Sequence, residues 1–147
     1  MCELDTKSSS EQSIRPKTEV IIFLEQAKNC LTEESSWMIN NKTWANGRVN
    51  KTQTFMAEKN LKDEDVADVI KELQVSNYCY TVEDRNANYP NEFFWIFGIT
   101  MVIVDSEEDL YIKLKIRKFE EDYLLVMSFH PEQTTSSEDA LTFPYAS

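Results

Sequence analysis

The sequence LYIKLKIR at residues 110–117 decides the fold class, because apolar and polar side chains alternate along it without a break. Successive side chains of a strand point to opposite faces of the sheet. The apolar side chains Ile112, Leu114 and Ile116 therefore share one face, which is typical of a buried core. The opposite face carries one aromatic ring and three cations, which are Tyr111, Lys113, Lys115 and Arg117.

Two neighbouring stretches predict the partners of this strand. Residues 93–104 are almost entirely apolar, which indicates a buried strand, and Gly98 predicts an interruption within it. Residues 123–129 are rich in aromatic and branched side chains. An acidic turn at 105–109 and a short connection at 119–122 join the three segments. We therefore expect a three-stranded antiparallel meander.

Helical periodicity precedes the strands. Apolar residues recur at helical spacing over residues 16–33, more weakly over 50–59, and as a clear stripe over 63–74, where the first turn is acidic. A polar loop is expected over 81–91. The predicted fold class is α+β, with the N-terminal helices packed on one face of a small antiparallel sheet of about three strands.

The length of 147 residues is enough for one core and favours a single domain. Residues 1–15 are polar and serine-rich, which predicts a disordered N-terminal segment. The single α+β domain is expected over residues 16–133, followed by a polar C-terminal tail over 134–147.

Charge and composition exclude several classes of function. The chain has 26 acidic and 15 basic residues, a net charge of −11, which argues against a generic duplex-DNA binder or a protein that binds anionic membranes. Two glycines cannot build a glycine-rich phosphate loop, and three cysteines with one histidine are too few for a structural zinc site. The unpatterned cysteines and the lack of a secretory signal predict a cytoplasmic protein without a membrane span.

The basic face of the 110–117 strand has two interpretations. It is either a solvated sheet face that lysines keep from aggregating, or a surface that follows the phosphates of a nucleic acid, with Tyr111 available to stack on a nucleotide. The only histidine, His130, ends the neighbouring strand, where partial exposure and a near-neutral pKa would let it exchange protons.

A series of sequence blocks resembles the MqsR family of toxins from bacterial type II toxin–antitoxin systems. The matching blocks are Asp63-Glu64-Asp65-Val66, Asn77-Tyr78, Glu83-Asp84-Arg85, Phe94-Trp95-Ile96-Phe97-Gly98, residues 110–115 and Ser128-Phe129-His130-Pro131-Glu132. The resemblance implies a RelE-like fold and a metal-independent, cofactor-free endoribonuclease that cleaves mRNA and is neutralised by a cognate antitoxin.

The resemblance also implies a site. Tyr111 matches the family's active-site tyrosine, and His130 occupies the position of a catalytic residue on the last strand. The expected catalytic residues are His130, Tyr111 and Lys113. The expected substrate-binding residues are Lys115, Arg117, Tyr78 and Arg85. The sequence departs from the family at Cys79, where a lysine is common, and at Ile96, where some members carry glutamine.

Two other classes of function stay open at this point. The net charge of −11 would suit a non-catalytic inhibitor that imitates nucleic acid, such as a phage anti-defence protein that binds a basic nuclease complex. An adaptor or antitoxin-like partner protein is the third interpretation.

Overall fold

The computed structural model describes residues 12–44, 47–118, 120–132 and 141–146. Its helices are α1 (Lys17–Cys30), α2 (Lys51–Lys59) and α3 (Asp63–Lys71), with two short 3-10 turns at Glu34–Ser36 and Val75–Asn77. Its strands are β1 (Trp37–Ile39), β2 (Tyr78–Glu83), β3 (Phe93–Ile103), β4 (Ser106–Lys118) and β5 (Asp122–Pro131).

The strands form one five-stranded mixed sheet in the order β1-β5-β4-β3-β2. The three C-terminal strands pair antiparallel in sequence order, and β1 pairs parallel with β5. The predicted α+β class is confirmed, but the expected sheet of about three strands is too small. The strand β1 has only three residues, too few to show alternation, and β2 occupies the start of the predicted 81–91 loop.

Gly98 does not interrupt β3, which runs unbroken from Phe93 to Ile103. A Cβ atom at Gly98 would lie 2.8 Å from Leu141 Cδ1 and 2.9 Å from Phe143 Cζ, so a side chain there would collide with the C-terminal segment. Glycine is required at this position because another part of the chain approaches the strand closely.

Both chain ends extend the domain beyond the predicted 16–133 range. Ser13 and Thr81 exchange backbone hydrogen bonds of 2.8 and 2.9 Å, so the segment from residue 12 lies against β2. Tyr145 stacks on Tyr78 and donates a 2.7 Å hydrogen bond to the Arg15 carbonyl. The predictions for residues 1–11 and for 134–140 fall outside the described residues.

The helices cover one face of the sheet and form a single core with it. Phe23 of α1 stacks on Trp95 with ring centroids 4.4 Å apart, and Phe55 of α2 packs against Phe129 of β5. The Asn50 side chain caps α2 by accepting hydrogen bonds from the first backbone N–H groups, which fixes where this helix begins. The opposite face, which we call the open face, carries the predicted row of Tyr111, Lys113, Lys115 and Arg117.

Two β-bulges set which side chains reach the open face. In β2 the register passes from Tyr78 to Tyr80, which leaves Cys79 as an extra residue. In β5 the register passes from Ser128 to Val126, which leaves Met127 as an extra residue. A bulge reverses the facing of the residues beyond it. Tyr80 therefore lies on the open face although Tyr78 is in the core, and His130 lies there next to buried Phe129.

Candidate functional site

Three predicted catalytic residues lie together at the centre of the open face. Tyr111 of β4 pairs directly with His130 of β5, and their ring centroids are 5.4 Å apart with an interplanar angle of 33°. Lys113 lies two residues along β4 on the same face. All three side chains are half-buried, so each keeps some contact with solvent.

The hydrogen bond of His130 defines its tautomer. Its Nδ1 lies 2.9 Å from the Pro131 carbonyl oxygen, which can only accept, so Nδ1 carries the proton. Nε2 of the neutral ring then holds the free lone pair. Burial lowers the pKa of His130, and it outweighs the hydrogen bond to the Pro131 carbonyl, which acts in the opposite direction; the charges of Lys51 and Lys113 add smaller lowering contributions. His130 is therefore a neutral base near pH 7.

Space for a ligand exists beside this histidine. A surface cavity of about 250 Å³ lies between α2 and the end of β5. His130 and Pro131 form one side of it, and Lys51 and Phe55 of α2 form the other. A molecule in this cavity would reach His130 and meet the opposite charges of Lys51 and Glu58, which both line it.

Tyr80 belongs to the same cluster and was missed by the sequence analysis. Tyr80 and Tyr111 interact with each other, and this interaction acts to lower the pKa of Tyr80 and to raise that of Tyr111. Burial is the largest cause of the raised pKa of each tyrosine. Both hydroxyls therefore stay protonated at neutral pH. We call Tyr80, Tyr111, Lys113 and His130 the tyrosine–histidine cluster.

Lys113 supplies the positive charge of this cluster. Its Nζ lies 4.4 Å from the centre of the Phe94 ring, a cation–π contact, and it makes no ion pair within the described part of the chain. Burial lowers the pKa of Lys113, and the charge of Asp84 acts in the opposite direction. Lys113 is available to an anionic ligand.

Lys115 and Arg117, predicted to bind substrate, are occupied by carboxylates instead. The Lys115 side chain is only 2% exposed, and its Nζ lies 2.5 Å from Asp84 Oδ2 and 2.9 Å from Glu92 Oε1. Arg117 makes two hydrogen bonds of 3.1 Å to Glu92, which lower the pKa of that carboxyl. The prediction that these two cations face a substrate is wrong for this structure, because acidic residues already neutralise them.

The loop between β2 and β3 brings those carboxylates to the open face. The Asp84 N–H donates a 2.8 Å hydrogen bond to the Glu92 carbonyl, which closes the loop, and Asp84 Oδ1 accepts one from Asn86. The Tyr89 ring stacks on the Arg117 guanidinium at 4.1 Å. We call residues 84–92 the acidic loop. It covers one end of the open face. At the other end lies the tyrosine–histidine cluster, where Leu141 and Phe143 approach the sheet at Gly98, the residue that pairs with Tyr111.

The other two predicted substrate-binding residues, Tyr78 and Arg85, differ in their exposure to solvent. Tyr78 is fully buried, and its hydroxyl lies 2.7 Å from Thr81 Oγ1 and accepts a hydrogen bond from the Arg15 N–H. It is a core residue and cannot contact a substrate. Arg85 is exposed in the acidic loop, where it could reach a ligand at the rim of the open face.

Cys79 and Ile96, the two residues that depart from the family pattern, are both buried. Cys79, the bulge residue of β2, is 0% exposed, and burial with the nearby charge of Glu132 raises the pKa of its thiol to about 12. Ile96 is also buried, between Tyr80 and Lys113 in the sheet register. The cluster therefore has an inert thiol next to Tyr80 in the chain and an aliphatic side chain between Tyr80 and Lys113.

We expect Cys79→Lys to destabilise the protein by about 2 kcal/mol, because the new ammonium group would lie in a site that holds a neutral thiol. Thermal melting measures this effect. Glu83→Lys, an exposed position on the same strand, is the matched control and should leave the melting temperature unchanged. A melting temperature of Cys79→Lys equal to that of wild type would contradict this expectation.

No protein-family model, curated protein or solved structure matches the chain. Among the described residues, no helix has the length and apolar character needed to cross a membrane. The same part of the chain contains no group of three or more His, Cys, Asp or Glu side chains placed to hold a metal ion.

Proposed function

We propose that this protein is an MqsR-like endoribonuclease toxin that cleaves mRNA without a metal ion. The observation that carries the proposal is the contact between Tyr111 and His130, on a sheet face that solvent reaches, beside Lys113, which has no ion pair among the described residues. RNA cleavage of this type needs a base, a proton donor and a cation. The cluster supplies all three within neighbouring strands.

His130 acts as the base in this mechanism. Its Nδ1–H is held by the Pro131 carbonyl, so Nε2 accepts the proton of the ribose 2′-hydroxyl. The 2′ oxygen then bonds to the adjacent phosphorus, and negative charge grows on the phosphate oxygens. Lys113 stabilises that charge, and its half-buried setting strengthens the interaction compared with water.

A tyrosine hydroxyl serves as the acid. The bond from phosphorus to the 5′ oxygen breaks, and the leaving oxygen takes a proton from the tyrosine pair. The products are a 2′,3′-cyclic phosphate and a 5′-hydroxyl end. Burial keeps Tyr80 and Tyr111 protonated, which suits a donor and not a base.

The substrate and partner follow from the same proposal. A single RNA strand would lie over the tyrosine–histidine cluster, with exposed Arg85 at the rim. A cognate antitoxin would cover this face, and the toxin would act in the cytoplasm, where mRNA is found.

The deciding experiment is incubation of the purified chain with a mixed RNA, with and without EDTA. We expect cleavage that EDTA does not reduce, and fragments with 2′,3′-cyclic phosphate and 5′-hydroxyl ends. Intact RNA after incubation with the folded protein would contradict the proposal.

We expect Lys113→Glu to weaken RNA binding and to reduce its salt dependence, because one fewer phosphate is neutralised. The slope of log K against log salt should fall by about 0.7. Lys71→Glu makes the same charge change at an exposed position of α3, away from the open face, and should leave the slope nearly unchanged. Equal slopes in wild type and Lys113→Glu would show that Lys113 does not contact an RNA phosphate and only keeps this sheet face hydrated.

The acidic loop favours a second candidate function. It neutralises two of the three cations on the open face, in a chain with a net charge of −11. This arrangement suits a non-catalytic inhibitor that imitates nucleic acid and binds a basic nuclease complex. Intact RNA, together with salt-sensitive capture of a nuclease from cells, would select this function over the toxin.

A further inference from the structure

The strand β3 extends past its neighbour β2. The pairing of β2 with β3 ends at Phe97, whereas β3 continues to Ile103. On its other side β3 stays paired with β4 as far as Ile103. Residues 98–103 therefore form a strand edge without a neighbouring strand in the described part of the chain, and we call them the free edge.

The register shows which backbone groups the free edge directs outward. Neighbouring residues of a strand direct their N–H and C=O groups to opposite sides. Thr81, opposite Trp95, exchanges both its hydrogen bonds with Ser13 on the outer side of β2, so Trp95 directs its own groups to β4. Thr100 and Val102 lie an odd number of residues further along β3, so they direct theirs outward. Within the described residues no hydrogen bond reaches these groups, which leaves them available to a further strand.

The free edge lacks the features that normally keep two sheets from joining. Natural edge strands are protected by charged side chains, prolines or bulges. The sequence GITMVIV at 98–104 contains no charge and no proline, and its register with β4 has no bulge. Val102 and Val104 are 65% and 68% exposed. An apolar, uncharged edge of this kind is suited to bind another strand.

Space for the side chains of an added strand exists at both ends of the free edge. A cavity of about 240 Å³ lies between Thr100 and the C-terminal Phe143. A second cavity, of about 260 Å³, lies between Met101 and the side chains of Leu61 and Val69. Side chains of a strand point alternately to its two faces, so an added strand could fill both cavities.

The hairpin tip beside the free edge is strained and rigid. Val104 has a φ of +62°, in the left-handed region that a β-branched residue rarely adopts. Lys59 holds the turn, because its Nζ donates hydrogen bonds of 3.1 Å to Asp105 and 2.7 Å to Ser106. Such strain is typical of residues that have a function. Here it presents an exposed valine at the end of the free edge.

We infer that the free edge binds the free edge of a second copy of this chain, so that two five-stranded sheets join antiparallel across a twofold axis. Antiparallel pairing makes the edge self-complementary, because the end with Val104 in one copy lies against the end with Gly98 and Phe143 in the other. Phe143 is 38% exposed, so both ends contribute apolar surface. The inference does not depend on ribonuclease activity.

The charge pattern favours a second copy over a basic partner. Residues 98–104 carry no carboxylate for a basic segment to bind. The net charge of −11 makes two copies repel each other at long range, so the dimer should strengthen as salt screens the repulsion. The binding of a basic partner would instead weaken with salt.

The test is sedimentation equilibrium of the full chain, from micromolar to millimolar concentration and at low and high salt. We expect a reversible dimer of twice the 17.2 kDa chain mass that strengthens with salt. Val102→Lys should weaken the dimer by about tenfold or more, because a lysine on an edge strand opposes pairing. Val49→Lys makes the same change at a position that is 68% exposed and lies before α2, so it should leave the dimer unchanged.

Amide hydrogen exchange identifies the surface that the dimer uses. The amides of Thr100 and Val102 should exchange rapidly in the dilute monomer and slowly in the dimer. In Val102→Lys the Thr100 amide should stay rapid at the same protein concentration. Val102→Pro removes an N–H that no described group accepts, so it should fold normally, as circular dichroism would show, and also stay monomeric.

Each contrary result overturns the inference. The wild type would then stay monomeric at every concentration, or form a dimer in which the Thr100 and Val102 amides still exchange rapidly. Slow exchange of these amides in the monomer would show that another segment of the same chain already covers the edge. A dimer that weakens as salt is added would be held by ion pairs and not by the uncharged edge.

Discussion

His130→Ala should reduce the rate of RNA cleavage by about 10²- to 10⁴-fold, the range typical of a lost general base. The side chain is half-buried at the open face and its hydrogen bond is made to a local carbonyl, so the fold should survive the change. Initial cleavage rates and thermal melting measure the two effects. If the variant arrested cell growth as strongly as the wild type, His130 would not be a catalytic residue.

The pH dependence gives a second measurement of the same group. His130 is a base only when neutral, and its burial lowers its pKa below the ordinary value of 6.5. The wild-type rate should therefore stay high at neutral pH and fall as the pH drops through this lowered pKa. A rate that rises as the pH falls through this range would show that His130 acts as an acid.

Asp84→Asn should lower the free energy of unfolding by about 3 kcal/mol, because it removes one carboxylate from the buried ammonium group of Lys115. Leaving a buried charge without its partner costs about 3–5 kcal/mol, and the remaining ion pair with Glu92 puts the expected effect at the lower end. Denaturant unfolding at pH 7 measures the change.

Two variants make the interpretation specific. Asp105→Asn removes a carboxylate from an exposed ion pair with Lys59, so it should leave the free energy of unfolding nearly unchanged. Asp84→Asn combined with Lys115→Met should recover most of the loss, because the buried charge is then absent. A double variant as unstable as Asp84→Asn alone would show that the loop itself, and not the ion pair, carries the stability.

The alternation of residues 110–117 was enough to predict β4, its core face and the row on its other side. It placed Tyr111 and Lys113 on one face, and the apolar stripes of α1 and α3 were predicted for the same reason, that burial requires a regular spacing. The role of these residues in catalysis stays a prediction, since spacing defines facing and not chemistry.

The local sequence pattern could not predict which of Lys113, Lys115 and Arg117 form ion pairs. Asp84 and Glu92 reach Lys115 from more than twenty residues away, across a loop whose closure depends on its own backbone hydrogen bonds. A period-two pattern describes which side chains share a face and says nothing of what covers that face. Tyr80 was missed for a related reason, because the bulge at Cys79 breaks the alternation of β2.

The bulges in β2 and β5 also determine which genetic changes this protein can tolerate. Deleting Met127 would change no residue type in the cluster, yet it would turn His130 towards the core and Phe129 towards solvent. Deleting Cys79 would turn Tyr80 inward in the same way. Substitutions at these two positions should therefore be far less harmful than single-codon deletions. Relatives of this chain should keep the number of residues between their core and open-face positions even where they change the residues themselves.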